Sequence, residues 1–320
     1  MKLASAEAPP LSGRKLPESH VGDQAFKGLT FGMALAVFGL VILVGYELAN
    51  GSRLALHQFG WHFLTSTDWD PVQEQFGALP FIFGTLASSV IALFIAVPLS
   101  LGTAIFLSEL APLWVQQVLT FFIELLAAVP SVILGLWGIF VMVPWLREHP
   151  FPWLRQVFGF LPLFSGPIYG VSLLAGGIII AIMIVPIITS VSREILRSVP
   201  GLEREAAFAL GATRWEVTRV AVLSHAKRGL FGAVILGLGR ALGETMAVTM
   251  VIGNRPEIAK SLFAPSYTLA SAVANEFAEA TTNLYLSALF ELGLVLLGVT
   301  VLVNALARLL LKTVAEPAFQ

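Results

Sequence analysis

Six apolar stretches, at about 28–48, 78–108, 115–143, 168–192, 229–253 and 284–307, are each long enough to cross a bilayer. Crossing takes about 20 mostly apolar residues in a helix. Hydrocarbon, in turn, admits only segments whose backbone polar groups are satisfied internally. The pattern predicts an all-α, polytopic membrane protein with about six transmembrane helices. Composition agrees: 57 % of the 320 residues are hydrophobic and 12 % charged, against about 25 % charged in soluble domains.

The first 26 residues carry Pro, Ser and charge with no apolar run and read as a disordered tail. The membrane domain then occupies 27–312, followed by a short tail at 313–320. The first apolar stretch is too long for a signal peptide and lacks an A-x-A cleavage site, which predicts an uncleaved anchor. Pro98, Pro130 and Pro186 fall inside apolar stretches and predict kinks. The net charge of −1 gives no field for nucleic acid. The chain has no cysteine, and its five histidines are scattered without ligand spacing, so no metal and no cofactor is expected.

Basic residues set the expected orientation. Lys2, Arg14, Lys15 and Lys27 precede the first stretch, and Arg308 and Lys312 follow the last. Arg193, Arg197, Arg204, Arg214, Arg219, Lys227 and Arg228 lie in the loop 193–228. The opposite side receives only Arg53, Arg147, Arg155, Arg255 and Lys260. By the positive-inside rule both termini and the 193–228 loop are cytoplasmic, in a multi-pass plasma (inner) membrane protein.

That loop reads as two short helices. Pro200 and Gly201 end the preceding helix, Glu203 and Glu205 favour the start of the next, and Gly211 suits its C-terminal cap. Thr213 and Glu216 have capping-box spacing. Phe208, Leu210 and Trp215 have little within so small a loop to pack against, so a partner subunit or a solvated loop are both open readings.

"EAAFALG" at 205–211 resembles the EAA motif of ABC-importer permeases, matching at Glu205, Ala206, Ala207 and Gly211. Downstream, Leu223 matches, while Ala221 and Ser224 depart from the family's Ile and Pro. The resemblance implies the type I ABC-importer permease fold. It also implies that these four residues belong to a coupling helix docking on a cytoplasmic ATP-binding subunit dimer.

Arg240 and Glu244 lie in the fifth stretch, near the bilayer midplane, where a lone charge costs at least about 2.5–3.5 kcal/mol. At i and i+4 they share a helix face and can pair, and Gly239-x-x-x-Gly243 permits close helix approach. Two readings remain open on the residues alone: an ion pair locking helices, or a polar path whose guanidinium fork receives a tetrahedral oxyanion. "LGLGRALGETMAVTMVIGN" (236–254), "ELLAAVPSVILGLWG" (124–138) and "ANEFAEA" (274–280) resemble the phosphate permeases of ABC importers over roughly 75–310. This implies phosphate translocation at Arg240 and Glu244. It further implies a second homologous permease and an extracytoplasmic phosphate-binding protein, all in the lipid bilayer without nucleic acid. A permease for sulfate, molybdate or phosphonate, a proton-coupled secondary transporter and a membrane enzyme stand as alternatives. Glu124, Glu291, Asn275, Glu276 and Glu279 are weaker candidates, read mainly as structural or solvated groups.

Overall fold

A computed structural model of the chain describes residues 20–314. Two compact units are present, one ending at Glu47 and the other beginning at Leu48. In the first unit the described residues form the body of helix α1 (His20–Gly51). Residues 1–19 of the expected tail lie outside the described residues. Residues 20–26 are not tail but the first turns of α1: no proline lies between Pro17 and Pro71, and Asp23 sits in the first turn, where a carboxylate favours helix start. The helix is apolar around its whole circumference from Phe31 to Val44, as a lipid-spanning helix must be.

The second unit opens on the end of α1 and short helices α2 (Arg53–Phe59) and α3 (His62–Thr65), which lead into α4 (Leu79–Ile105). A π-helical turn at Phe106–Leu110 ends that span. The third span is in pieces: α5 (Leu113–Ala128), then α6 (Ser131–Trp137), a π-turn at Gly138–Met142, and α7 (Val143–Glu148). The expected continuous helix over 115–143 is thus broken at Val129 and Pro130, both extended. Proline has no N–H to give and forces its predecessor out of the helical region. Pro98 and Pro186, by contrast, stay within continuous helices.

After α8 (Pro150–Phe158), α9 (Leu173–Arg197) forms the centre of the bundle. Its apolar stretch is 67 % buried, against 28 % for the second, third, fifth and sixth spans. Ile179, Ile180, Ile184 and Ile188 are its buried face, against α4 and the later helices α12 and α13. Lipid supplies no hydrophobic drive between spans, so close packing of small residues must hold them. Gly177 shows the device: a Cβ there would run into the Ile91 side chain on α4.

Next come α10 (Gly201–Ala209) and α11 (Arg214–Val217), and a π-turn at Thr218–Val222 joins α11 to α12 (Leu223–Leu242). The remaining helices are α13 (Met246–Val251), α14 (Leu269–Glu276) and α15 (Asn283–Val314). Residues 315–320 of the expected C-terminal tail lie outside the described residues.

Around α2, α3 and α14 an aromatic cap closes one end of the bundle. Trp69 meets Phe81 edge-on at 4.8 Å and Phe76 at 4.9 Å, and Phe76 stacks on Tyr285 at 5.3 Å. Each such pair adds about 0.5–1.5 kcal/mol beyond area burial. Glu276 is the cap's polar pin, accepting from Trp69 Nε1 (2.8 Å) and the Tyr285 hydroxyl (2.7 Å). Asn275 donates to the Tyr267 hydroxyl (3.0 Å), whose pKa is pushed well above the ordinary tyrosine range by burial and by nearby Glu276.

Candidate functional site

The fifth span breaks where its charges lie. α12 ends at Leu242, residues 243–245 leave the helix, and α13 begins at Met246. Arg240 Nη2 is 3.0 Å from Glu244 Oε2. The other carboxylate oxygen of Glu244, Oε1, accepts from the Ala247 N–H at 3.4 Å, one of the donors that the start of a helix leaves unpaired. One carboxylate thus neutralises the guanidinium and caps the restarting helix. The Thr245 hydroxyl donates to Gly243 O (3.2 Å) and the Thr249 hydroxyl to Thr245 O (2.8 Å), which holds the turn.

The two charges differ in access. The Glu244 side chain is 4 % exposed and that of Arg240 46 %. A guanidinium has five N–H donors in a planar fork, and the Glu244 contact engages it at Nη2. With 46 % of its side chain exposed, Arg240 is not enclosed by that pair.

Glycine placement departs from the sequence reading. A Cβ on Gly237 would lie 2.6 Å from Ile188 on α9, so Gly237 is where α12 approaches closely. Gly239 and Gly243 meet nothing nearer than 3.9 and 3.8 Å, and their spacing mediates no close crossing. On the partner piece, a Cβ at Gly135 of α6 would meet Ala247 Cα at 3.0 Å. The two broken spans therefore pack their second pieces, α6 and α13, against each other.

Beyond the other end of the bundle, the first of the two expected short helices is α10, while the second, α11, runs on through the π-turn into α12 as one continuous helix. Gly211 adopts φ +83° after α10. Thr213 and Glu216 form the reciprocal capping box. Arg204 fixes α10 by donating to Leu196 O (2.8 Å) and Val199 O (2.5 Å) and pairing with Glu109 (3.0 Å). Glu203 meets His225 Nδ1 at 2.9 Å. With those residues turned to the bundle, Glu205, Ala206 and Phe208 are exposed and Ala207 is half-buried.

Residues 96–316 match the model of the family described as "Binding-protein-dependent transport system inner membrane component". The chain belongs to this family. Among curated relatives, the phosphate transport system permease protein PstC of Haemophilus influenzae is 50 % identical, with 92 % of this chain and 94 % of that protein covered. PstC of Pasteurella multocida is 48 % identical, with 93 % and 94 % covered. A probable PstC of Methanocaldococcus jannaschii is 36 % identical, with 90 % and 93 % covered. The inward-facing MetNI methionine ABC transporter shares the fold at TM-score 0.54 and 17 % identity, covering 73 % of this chain and 94 % of that one.

As a binding-protein-dependent membrane component, the chain carries, among the described residues, six helices long and apolar enough to span a bilayer. It carries two other buried or clustered polar features that its pattern understated. Glu291 on α15 is 2 % exposed and its Oε2 has no hydrogen-bond partner; it lines a mainly apolar cavity. Glu124 is exposed and faces Arg193 and Arg197 across a polar cleft. The signal for that cleft was the four-residue spacing of Gln116, Thr120 and Glu124 in an otherwise apolar segment.

Proposed function

We propose that this chain is the permease of an ATP-driven importer of inorganic phosphate, with both termini and the 193–228 loop cytoplasmic. The observation that carries the reading is similarity to PstC proteins over nine-tenths of the chain, through the segment that holds Arg240 and Glu244. The geometry supports it. A half-exposed guanidinium, neutralised at rest by a buried carboxylate, can exchange that partner for an oxyanion and recover it afterwards. Such exchange binds the ion without trapping it, since Glu244 competes for the same donors. The helix break supports this role, because unwound backbone at membrane depth belongs beside a cavity or substrate path.

The chain contains no G-x-x-x-x-G-K-[ST] phosphate-binding loop, so ATP is hydrolysed by a partner. Glu205, Ala206, Ala207 and Gly211 form the element that docks on a cytoplasmic ATP-binding subunit dimer. A second homologous permease completes the path, and an extracytoplasmic binding protein delivers phosphate. Alternate opening of the two membrane faces follows ATP binding, transmitted through α10.

The test is anion-dependent uptake by the complete complex in proteoliposomes with ATP on the coupling-loop side. Phosphate should stimulate both uptake and ATP hydrolysis, and sulfate, molybdate and phosphonate should not. Preferential uptake of another oxyanion, or phosphate uptake without the ATPase, would sink the reading.

A further inference from the structure

Helices α5 and α9 face each other through polar stripes. Gln116, Thr120 and Glu124 recur every four residues on α5, and Arg193 and Arg197 have the same spacing on α9. Between them lies a cleft of about 400 Å³ lined by these five side chains together with Leu113, Gln117 and Phe121. Arg197 Nη2 donates to Gln116 Oε1 (2.8 Å), Arg193 Nη1 donates to the Thr120 hydroxyl, and Arg193 Nη2 donates to Glu194 Oε1 (3.3 Å).

These bonds leave donors unused. Arg193 Nε is buried without a partner, as is the Thr189 hydroxyl beside it. The Arg193 side chain is only 13 % exposed. A buried charged donor with nothing to accept it is costly, and Arg193 stands between the narrow gap that holds Thr189 and the open cleft, so its guanidinium borders both. The negative end of α9 accounts for cations in its last turn, but it accounts neither for the facing stripe on α5 nor for the orphaned Nε.

We propose that this cleft binds one inorganic phosphate ion, with the two guanidiniums holding its oxygens and Glu124 accepting its P–O–H proton in a hydrogen bond. Phosphate keeps at least one such proton near neutral pH. Sulfate keeps none, and a lipid phosphodiester has none to offer. A carboxylate among the donors therefore admits phosphate and repels the other two. The cleft lies at the end of α9, and α10 begins only four residues beyond Arg197. It is thus a release-side site, distinct from Arg240, adjoining the coupling loop. Its choice of ion rests on the phosphate reading above.

The test is binding of radiolabelled phosphate to the complete complex carrying Arg240→Gln, in phosphatidylcholine nanodiscs without binding protein or ATP. One saturable site is expected, resistant to tenfold excess of sulfate and of dimethyl phosphate, a soluble mimic of a lipid headgroup. Arg197→Gln, at an exposed position that leaves the helix intact, should weaken binding at least about tenfold, as loss of a charge-assisted hydrogen bond requires. Glu124→Gln should retain phosphate and let sulfate compete equally. Should the Arg240 variant not assemble, loss of one site per complex on Arg197→Gln alone carries the same meaning. Absence of the site, indifference to Arg197→Gln, or equal displacement by sulfate overturns the proposal; displacement by dimethyl phosphate assigns the cleft to lipid and overturns it too. Phosphate uptake by the unaltered complex reports separately on the transport reading, so that either can fail alone.

Discussion

At the scale of single residues, Arg240 and Glu244 show how a charge is kept in a membrane span without being buried alone. The carboxylate is enclosed and the guanidinium half open, 3.0 Å apart. Arg240→Lys keeps the charge and loses the planar fork; the phosphate uptake rate should fall on the order of tenfold, a change of about 1.4 kcal/mol in the barrier. Gly237→Val should act differently. Its new atoms would stand 2.6 Å from Ile188, and overpacking of this kind costs about 1–3 kcal/mol. A lowered thermal midpoint of the purified complex, with unchanged anion preference, is the expected result. Gly211 and the Thr213–Glu216 capping box were legible in the sequence because each is decided within four residues. The glycine that permits close approach was not. Gly237, Gly239 and Gly243 look alike along the chain, and only the position of Ile188 on α9 distinguishes them.

Among elements, the same division between local and tertiary causes recurs. The six spans were legible from apolar length, and the break at Pro130 was half legible: a proline predicts a disturbance, but its neighbours decide between kink and interruption. The break at 243–245 carries no proline. It follows from the Glu244 cap on Ala247 and from α6 packing against α13, neither of which composition reveals. In the 193–228 loop, Arg204 is the tie between α10 and the spans. Arg204→Ala should leave Glu109, whose side chain is 11 % exposed, without its partner and release the Leu196 and Val199 carbonyls. ATP hydrolysis should then lose its dependence on phosphate delivery while the complex stays assembled, measurable as a raised basal ATPase rate. Gly211→Val forces a β-branched residue to φ +83°; it should reduce co-purification of the ATPase subunit.

For the whole molecule, the central proposal is that this chain, together with a second permease, forms a membrane path whose anion contact is Arg240 and whose drive is transmitted through the exposed helix α10. Fold and family were readable from span count, the EAA segment and the Arg-x-x-x-Glu motif together. Of the Arg193–Arg197 cleft only the polar spacing on α5 was legible, because its two walls lie about 75 positions apart and meet only when α5 folds onto α9. The most direct measurement is ATP-dependent phosphate accumulation in proteoliposomes holding equal amounts of assembled complex with Arg240 or with Arg240→Gln. Accumulation should occur with arginine and fall at least about a hundredfold with glutamine, as for the loss of a charged contact made during translocation. Equal accumulation by the two would contradict the account.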